Sequence, residues 1–326
     1  MKDITISRRS LLVSAGLLAL APLAGCGGNS GSGSAAAGSD YTVGILQLTE
    51  HSALDAANDG FVKAIKKSGL KVKIDQKNAQ NDQSTCKSIA DKFVGDGVDL
   101  IYAIATPAAQ AAAGATADIP IVGCAITDYA ASGLVQDNEK PGTNVTGASD
   151  LTPVAEQLEM MQKVLPDVKK VGLLYCTAES NSDVQIKAAK KELDKLDLEY
   201  TDFTVSSSNE IQSVVESAVG KVDALYSPTD NTIAAGASQV GQICKENKLP
   251  YVTGEEGMCM AGGLFTLSIN YEDLGYAAGE MAVKILKGEA KPEEMPIKHL
   301  SSKDLVVVKN DEMAEALGID LSALDE

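Results

Sequence analysis

Two short polar segments in the second half of the chain carry side chains able to hold a charged solute. Asp230 follows a short apolar run, and its carboxylate can pair with an ammonium group. The Ser180-Asn181-Ser182 segment begins an amphipathic stretch, where hydroxyls and free backbone N–H groups can hold a carboxylate. Together they would grip an α-amino acid zwitterion. The alternative for Asp230 is structural, because Asp is a preferred N-cap of helices.

A Thr-Pro pair in the first half of the chain occupies the place that Asp230-Asn231 has in the second half. Thr106 followed by Pro107 is typical of a helix N-cap and a first-turn proline. Further candidates lie where predicted strands end, because ligands of parallel α/β sheets bind there. The full set of predicted ligand contacts is Gln47, Thr49, His51, Thr106, Pro107, Ala108, Thr127, Asp150, Ser180, Asn181, Ser182, Thr229, Asp230, Asn231, Glu255, Asn270 and Tyr271.

Aromatic residues give a weaker indication of the solute. Tyr129, Tyr175 and Tyr271 fall in or beside the same loops, where a tyrosine can stack on an aromatic or sugar ring. Core packing is the alternative for each of them. The chain has no Trp and four Phe, a scarcity that slightly disfavours a sugar.

The elements that must position these residues follow a regular alternation. Short apolar runs alternate with stretches of helical periodicity, which is typical of βαβ units and a parallel sheet covered on both faces. The predicted strands of the first half are Val43–Leu48, Val72–Ile74, Val98–Ala103 and Ile119–Cys124, and the predicted helices are 53–67, 84–95 and 108–117.

The second half of the chain repeats the first. Residues 43–46 (VGIL) are echoed 128 residues later by residues 171–174 (VGLL), and the S-x-x-D helix-start pattern at Ser52 recurs at Ser180. Two more pairs of strand-like segments follow in the same order, at offsets of 124 and 130 residues. The repeat predicts an α/β fold of two Rossmann-like parallel-sheet lobes joined by a hinge.

Residue types needed for catalysis or metal binding are sparse. The only histidines are His51 and His299, and no G-x-S-x-G, P-loop or G-x-G-x-x-G motif is present. Glu255-Glu256 has no histidine nearby to complete a metal site. We therefore predict no enzymatic activity, no metal and no cofactor. The net charge of −17 excludes nucleic acid as a partner.

The cysteines divide into one at the N-terminus and five in the body of the chain. None of the five forms a C-x-x-C pair or a zinc-like cluster, and most lie beside apolar runs. We predict small buried thiols, with one disulfide as the alternative. The five are Cys86, Cys124, Cys176, Cys244 and Cys259.

The N-terminus has the features of an export signal. Basic residues precede an apolar run at residues 11–24, which is shorter than the roughly 20 residues of a membrane span. The run ends in Leu23-Ala24-Gly25-Cys26, which resembles a lipobox, so Cys26 is the predicted lipid anchor. Residues 1–25 would be the signal peptide and 26–40 a flexible tether. A simple cleavage site and either export route, general or twin-arginine, stay open.

Four segments carry a resemblance to a known family: residues 41–48, 99–110, 228–231 and 254–258. They resemble the type I periplasmic-binding-protein fold, specifically the ABC-transporter substrate-binding lipoproteins grouped with tryptophan- and tyrosine-binding members. The resemblance implies an extracytoplasmic protein whose hinge closes over one small molecule. It further implies that the closed form docks on an ABC permease with its ATPase.

The resemblance also assigns lobes and contacts. It implies lobe one from residues 41–150 plus 271–300, and lobe two from residues 151–270 plus 301–326. At matching positions, the ligand contacts would be Thr106, Pro107, Asp230 and the Ser180–Ser182 loop. The expected solute is an aromatic amino acid bound by a monomer held at the membrane. A nucleoside or sugar carrier and a ligand sensor for a membrane receptor are the alternatives.

Overall fold

The computed structural model describes residues 40–299 and 301–325, so the predicted signal peptide and Cys26 lie outside the described residues. The strands are β1 (Tyr41–Gln47), β2 (Val72–Asn78), β3 (Leu100–Ile104), β4 (Ile121–Ile126), β5 (Val145–Ser149), β6 (Lys170–Cys176), β7 (Glu199–Val205), β8 (Ala224–Ser227), β9 (Tyr251–Thr253), β10 (Phe265–Ile269), β11 (Lys298–His299) and β12 (Leu305–Lys309). The helices are α1 (Ser52–Lys67), α2 (Gln83–Asp96), α3 (Thr106–Ala115), α4 (Val154–Val164), α5 (Ser180–Lys195), α6 (Ile211–Ala218), α7 (Asn231–Ala235), α8 (Ala237–Glu246), α9 (Glu256–Gly262), α10 (Tyr271–Leu286) and α11 (Asp311–Leu317).

Parallel strands form the first sheet, in the order β11-β5-β4-β3-β1-β2. Strands β3 and β4 are buried along their whole length. Helices cover both faces of such a sheet, which is why these strands are continuous apolar runs without alternation. In the register of β1 against β3, Val43 lies opposite Leu100. We call this sheet with α1, α2, α3 and α10 lobe one.

Parallel strands also form the second sheet, in the order β7-β6-β8-β9. Beside it lies the antiparallel pair β10 and β12, joined to β9 by a hydrogen bond from Leu264 N to Tyr251 O (2.6 Å). We call these strands with α4–α9 and α11 lobe two. The chain crosses between lobes after β5, after β10 and after β11. The predicted α/β class with two parallel-sheet lobes is confirmed, while the predicted boundary residues stay predictions.

Helix α1 is fixed in lobe one by close packing on α10. A Cβ atom on Gly60 would lie 1.9 Å from the Glu272 carbonyl oxygen, and one on Gly275 would lie 1.9 Å from that of Ala57. Only glycine fits at these two places. The hydroxyl of Tyr102, on β3, donates to the Ala57 oxygen at 3.0 Å. These contacts hold the N-terminus of α1 in place at the end of the sheet.

The predicted S-x-x-D helix starts are wrong by one residue. Ser52 and Ser180 are already helical, and the extended residues before them, His51 and Glu179, occupy the N-cap positions. Neither His51 nor Glu179 caps its own helix with its side chain. Both side chains are therefore free to make other contacts.

The predicted Thr106 cap is also wrong. Ala105 occupies the N-cap position of α3 with a φ of 84°, so Thr106 is the first helical residue. Ala125, near the end of β4, has a φ of 54°. Positive φ is unfavourable for a residue with a Cβ atom and costs on the order of 1–3 kcal/mol. Lobe one thus carries backbone strain at the ends of β3 and β4.

The five cysteines of the described residues are buried thiols, which confirms the prediction of small buried side chains. The alternative of one disulfide is not realised among them. Within residues 40–299 and 301–325, no helix is both long and apolar enough to cross a bilayer.

Candidate functional site

Loops from both lobes enclose a narrow cavity. Its walls are the end of β4, the segments that follow β1, β4, β5, β6, β8 and β9, and the start of α10, so the carboxyl ends of both sheets meet there. The lining residues are His51, Ala53, Leu54, Ala125, Thr127, Asp150, Asn181, Thr229, Asp230, Asn231, Ala234, Glu255 and Tyr271.

The lining includes many of the predicted ligand contacts and several residues that were not predicted. Ala53, Leu54, Ala125 and Ala234 were missed because small apolar side chains give no chemical signal in a sequence. The predicted contacts outside the lining are Gln47, Thr49, Thr106, Pro107, Ala108, Ser180, Ser182 and Asn270.

Two of these residues outside the lining make hydrogen bonds that stabilise loops and helix ends. Gln47 Nε2 donates to the Thr49 oxygen at 2.8 Å and to Asp55 Oδ1 at 2.7 Å, which fixes the loop before α1. Asn270 caps α10 by accepting from Asp273 N at 2.9 Å. Their roles as ligand contacts stay predictions.

Asp230 is a helix cap, as the structural alternative predicted. Its Oδ1 accepts from Ile233 N at 2.9 Å, and its Oδ2 accepts from Cys176 N at 2.7 Å and from Ser182 Oγ at 2.6 Å. Burial, and then the charge of Glu179, raise the pKa of Asp230 to about 7. The carboxyl group lines the cavity while three donors hold it in place.

Glu179 is the main polar residue that the sequence did not reveal. Its carboxylate accepts from Asn231 N (3.1 Å) and Nδ2 (2.6 Å), from Thr232 N (2.8 Å) and Oγ1 (2.8 Å), and from Asn181 Nδ2 (3.2 Å). It therefore stabilises the N-terminus of α7, although it precedes α5 in sequence. An acidic residue just after a predicted strand was the available signal, but the S-x-x-D pattern placed the cap one residue later.

His51 links lobe one to lobe two. Its Nε2 lies 3.3 Å from Asn231 Oδ1, and its Nδ1 is buried without a partner in the described part of the chain. Burial lowers the pKa of His51, against smaller opposing effects of the Asn231 hydrogen bond and of the carboxylates Glu179 and Asp55. The ring is therefore neutral near pH 7.

Two more carboxyl groups line the cavity. Asp150 accepts from the Tyr271 hydroxyl at 3.1 Å, and burial raises the pKa of Asp150 to about 6. Glu255 caps α9 by accepting from Gly257 N and Met258 N, and burial raises the pKa of Glu255 to about 7. No Lys or Arg is among the described residues of the lining. The charge around the cavity is therefore negative whenever these groups are ionised.

Direct hydrogen bonds join the lobes beside the cavity. Gln185 Nε2, on α5, donates to Thr127 Oγ1 of lobe one at 3.2 Å and to Thr229 Oγ1 of lobe two at 2.6 Å. Asn81 Nδ2 donates to Thr232 Oγ1 at 3.0 Å. Gln185 was not predicted, because it lies inside a helix and not in a loop after a strand. The lobes are closed on each other.

The predicted aromatic positions differ in their surroundings. Tyr271 lines the cavity. Tyr129 is fully buried and donates to the Ala148 oxygen at 3.1 Å. Tyr175 lies outside the lining. Only Tyr271 is therefore placed to meet a solute ring.

Known proteins resemble this chain over nearly all of its described length. The family model of ABC transporter substrate-binding proteins matches residues 42–323. A tyrosine-binding protein of Clostridioides difficile (strain R20291) is 40% identical, over 96% of this chain and 93% of that protein. A solved ABC domain of Streptococcus pneumoniae in complex with L-Trp is 40% identical, covers 87% of this chain and 98% of its own, and superposes with a TM-score of 0.83.

A second solved structure shows how the lobes are arranged. It is the ligand-free, open structure of a substrate-binding protein with adhesive properties from Clostridium difficile, 46% identical over 86% of this chain and 95% of its own. Its TM-score is 0.66, lower than that of the L-Trp complex despite the higher identity. The chain therefore superposes better on the L-Trp complex than on the open structure, and hydrogen bonds join its two lobes. By its fold, its match along residues 42–323 and its relatives, the chain belongs to the ABC transporter substrate-binding proteins, which bind solutes and are not enzymes.

Proposed function

We propose that the protein captures an aromatic amino acid, such as tyrosine, tryptophan or phenylalanine, between its two lobes and delivers it to an ABC permease driven by its ATPase. The names of two relatives support this solute class, one being a tyrosine-binding protein and the other a complex with L-Trp. Closure of the lobes supports the mechanism, since a solute that contacts both lobes favours the closed state.

The observation that carries the proposal is the charge of the cavity. Its ionisable carboxyl groups, on Asp150, Asp230 and Glu255, are not matched by any Lys or Arg among the described lining residues. A solute with an ammonium group would stabilise the ionised form of these groups, whereas a neutral sugar or nucleoside offers them no counter-charge. Tyr271 offers a ring beside the same groups.

We propose that the carboxylate end of the solute lies at the N-terminus of α1 and not, as the sequence suggested, at the Ser180–Ser182 loop. Ser182 Oγ is already bonded to Asp230, and an anion there would meet the carboxylate of Glu179 as well. At the start of α1, Ala53 and Leu54 line the cavity, and their backbone N–H groups have no acceptor in the described residues. A helix N-terminus favours an anion.

Thermal-shift measurements on the purified protein test the solute class. A ligand at 100 times its Kd adds about 2.7 kcal/mol to the free energy of unfolding, which raises Tm by several degrees. We expect this rise with L-tyrosine, L-tryptophan or L-phenylalanine and none with sugars or nucleosides. A rise only with sugars or nucleosides would show that the solute is not an aromatic amino acid. No rise with any of these compounds would favour the alternative of a ligand sensor for a membrane receptor.

We further propose that the protein is a monomer anchored to the cell membrane through a lipid on Cys26. ABC substrate-binding proteins are extracytoplasmic, and the lipobox-like sequence before Cys26 supports the anchor. Labelling cells with an alkyne fatty acid should mark the protein, and Cys26→Ala should abolish the label. Light scattering of the purified protein should give the mass of one chain; the mass of a dimer would contradict the monomer.

A further inference from the structure

Two buried side-chain atoms that line the cavity have no hydrogen-bond partner in the described part of the chain. They are Nδ1 of His51, from lobe one, and Oδ1 of Asn181, from lobe two. A buried polar atom without a partner costs about 1–3 kcal/mol, so each of these atoms needs an explanation. A solute in the cavity they share would be the missing partner of both.

The orientation of the Asn181 amide is fixed by its neighbours. Its Nδ2 donates to Glu179 Oε2 at 3.2 Å and to the Thr229 oxygen at 3.1 Å. Turning the amide over would place Oδ1 against a carboxylate and a carbonyl, and both hydrogen bonds would be lost. The unpartnered atom of Asn181 is therefore the oxygen, which can only accept.

The carboxylate of Glu179 also determines which ring nitrogen of His51 carries the proton. Asn231 Nδ2 donates to Glu179 Oε2 at 2.6 Å, so Asn231 presents its Oδ1 to His51 Nε2 at 3.3 Å. Because that oxygen only accepts, Nε2 of His51 carries the proton. In a neutral ring, the other nitrogen, Nδ1, then holds a lone pair and accepts a hydrogen bond.

The charge of the cavity indicates which kind of donor group forms hydrogen bonds with these two acceptors. The described lining contains the carboxyl groups of Asp150, Asp230 and Glu255 and no Lys or Arg. A cationic donor gains more from them than a neutral hydroxyl does. A primary ammonium has three N–H donors, enough for the two acceptors and one nearby carboxylate.

From this geometry we infer that His51 Nδ1 and Asn181 Oδ1 form the subsite for the α-ammonium of the solute. Glu179 is a positioning residue, because it orients the side-chain amides of Asn181 and Asn231 without touching the solute. This inference rests on the proposed function. One acceptor comes from each lobe, so the subsite is complete only when the lobes are closed. Asp230, held by three donors, lines the same cavity and adds negative charge there when it is ionised.

The protonation of His51 agrees with this role. Burial lowers the pKa of His51, whereas Asp55 and Glu179 act in the opposite direction with smaller effect. A neutral ring accepts from an ammonium, but a protonated ring would place an N–H and a positive charge against it. The other ionisable groups of the cavity are Asp150, Asp230, Glu255 and Tyr271.

Calorimetry with two ligands tests the subsite. The ligands are L-tyrosine and 3-(4-hydroxyphenyl)propionate, which lacks only the ammonium group. We expect Asn181→Ala and His51→Phe to weaken L-tyrosine binding about 10- to 100-fold, the range for a hydrogen bond to a charged group. Binding of the propionate should change less than about threefold, because it has no donor for these atoms.

Asn58→Ala is the matched control for Asn181→Ala. Asn58 is also buried with an unpartnered Oδ1, but it lies outside the cavity lining. This variant should leave both Kd values unchanged. Equal losses for the two ligands in the Asn181 and His51 variants would overturn the subsite, as would a wild-type protein that binds the propionate as tightly as L-tyrosine.

Nitrogen NMR of the imidazole rings tests the proton on His51 independently. The chain has two histidines, and His299→Gln leaves the signals of His51 alone. In the L-tyrosine complex we expect a protonated Nε2 and an unprotonated Nδ1. Glu179→Gln should disturb this tautomer, a change that a general loss of stability would not cause. A proton on Nδ1 in the wild-type complex would overturn the inference.

Failure of the proposed function can be distinguished from failure of the ammonium subsite. If no aromatic amino acid binds the wild-type protein, the proposed function fails. If L-tyrosine binds but the Asn181 and His51 variants behave like Asn58→Ala, only the subsite fails. A Tm rise with Zn²⁺ or Mg²⁺ alone, equal to that with L-tyrosine, would identify the two atoms as metal ligands and would also overturn it.

Discussion

The N-termini of α1 and α5 are equivalent in the internal repeat, yet they meet the cavity with opposite chemistry. Their N-cap residues, 128 positions apart, are His51 and Glu179. Both side chains contact Asn231, which accepts from the first and donates to the second. One repeated element therefore supplies a neutral acceptor in lobe one and a carboxylate in lobe two, so the lobes differ in polarity while sharing a fold.

The two lobes also hold their loops by different means. In lobe one, α1 is fixed by the contact of Gly60 with the backbone of α10, and Ala105 stores backbone strain at the start of α3. In lobe two, carboxylates at helix starts, Glu179 and Asp230, hold the loops by hydrogen bonds. Close backbone packing and the Gln47 hydrogen bonds position the site in lobe one, whereas carboxyl groups at helix starts position it in lobe two.

The largest expected effect is that of Asp230→Ala, which we compare with Thr106→Ala at the equivalent position of the repeat. Asp230→Ala leaves the buried donors of Cys176, Ser182 and Ile233 without their acceptor. We expect a loss of about 2–4 kcal/mol in the free energy of unfolding, measured with urea, together with loss of amino-acid binding. Thr106→Ala should cost less than about 1 kcal/mol, because its buried hydroxyl has no partner in the described chain. Equal losses would contradict the contrast between the lobes.

The close packing of lobe one gives the next effect. Gly60→Ala forces a Cβ atom against the Glu272 oxygen, so we expect a loss of about 2–3 kcal/mol in urea unfolding. Affinity should fall as well, because α1 carries His51 to the cavity. Gly114→Ala is the control, since a Cβ atom there has nothing within 4 Å, and it should be neutral or stabilise slightly. A harmless Gly60→Ala would show that α1 can shift freely.

The sequence predicted the features that local pattern determines. The repeat indicated both sheets, and Asp at a strand end indicated the Asp230 cap. It did not reveal contacts between distant positions, such as Glu179 with Asn231, 52 residues apart, or His51 with Asn231, 180 apart. The strained turn at Ala105 was equally hidden, because alanine gives no signal for positive φ. Where several loops converge, partners are chosen by tertiary packing and not by neighbours in sequence.

The carboxyl groups of the cavity predict a pH dependence. The pKa values of Asp150, Asp230 and Glu255 are about 6, 7 and 7, above the ordinary values near 4 of the unfolded chain. Their stabilising contribution is therefore complete below pH 4 and lost as the pH rises through 6 to 7. We expect the unfolding free energy of the ligand-free protein, measured with urea at each pH, to fall between pH 5 and pH 8.

The solute should reverse this trend, because an ammonium favours ionised carboxylates. The Tm rise with L-tyrosine should be larger at pH 8 than at pH 5. Glu255→Gln should reduce the pH dependence of the ligand-free protein, whereas Glu289→Gln, at an exposed position, should leave it unchanged. A ligand-free protein that becomes more stable from pH 5 to pH 8 would contradict the prediction.

The smallest expected effect concerns the bridge between the lobes. Gln185→Leu removes the hydrogen bond to Thr127 that forms only when the lobes close. Losing about 1 kcal/mol from the closed state should weaken L-tyrosine binding about fivefold in calorimetry. Gln157 is the matched control, because it is equally buried but donates to Gly254 and Leu267 within lobe two. Gln157→Leu should lower Tm and leave Kd unchanged, since its bonds persist in open and closed forms alike. If both variants changed Kd equally, closure would depend on the packing of lobe two and not on the contact between the lobes.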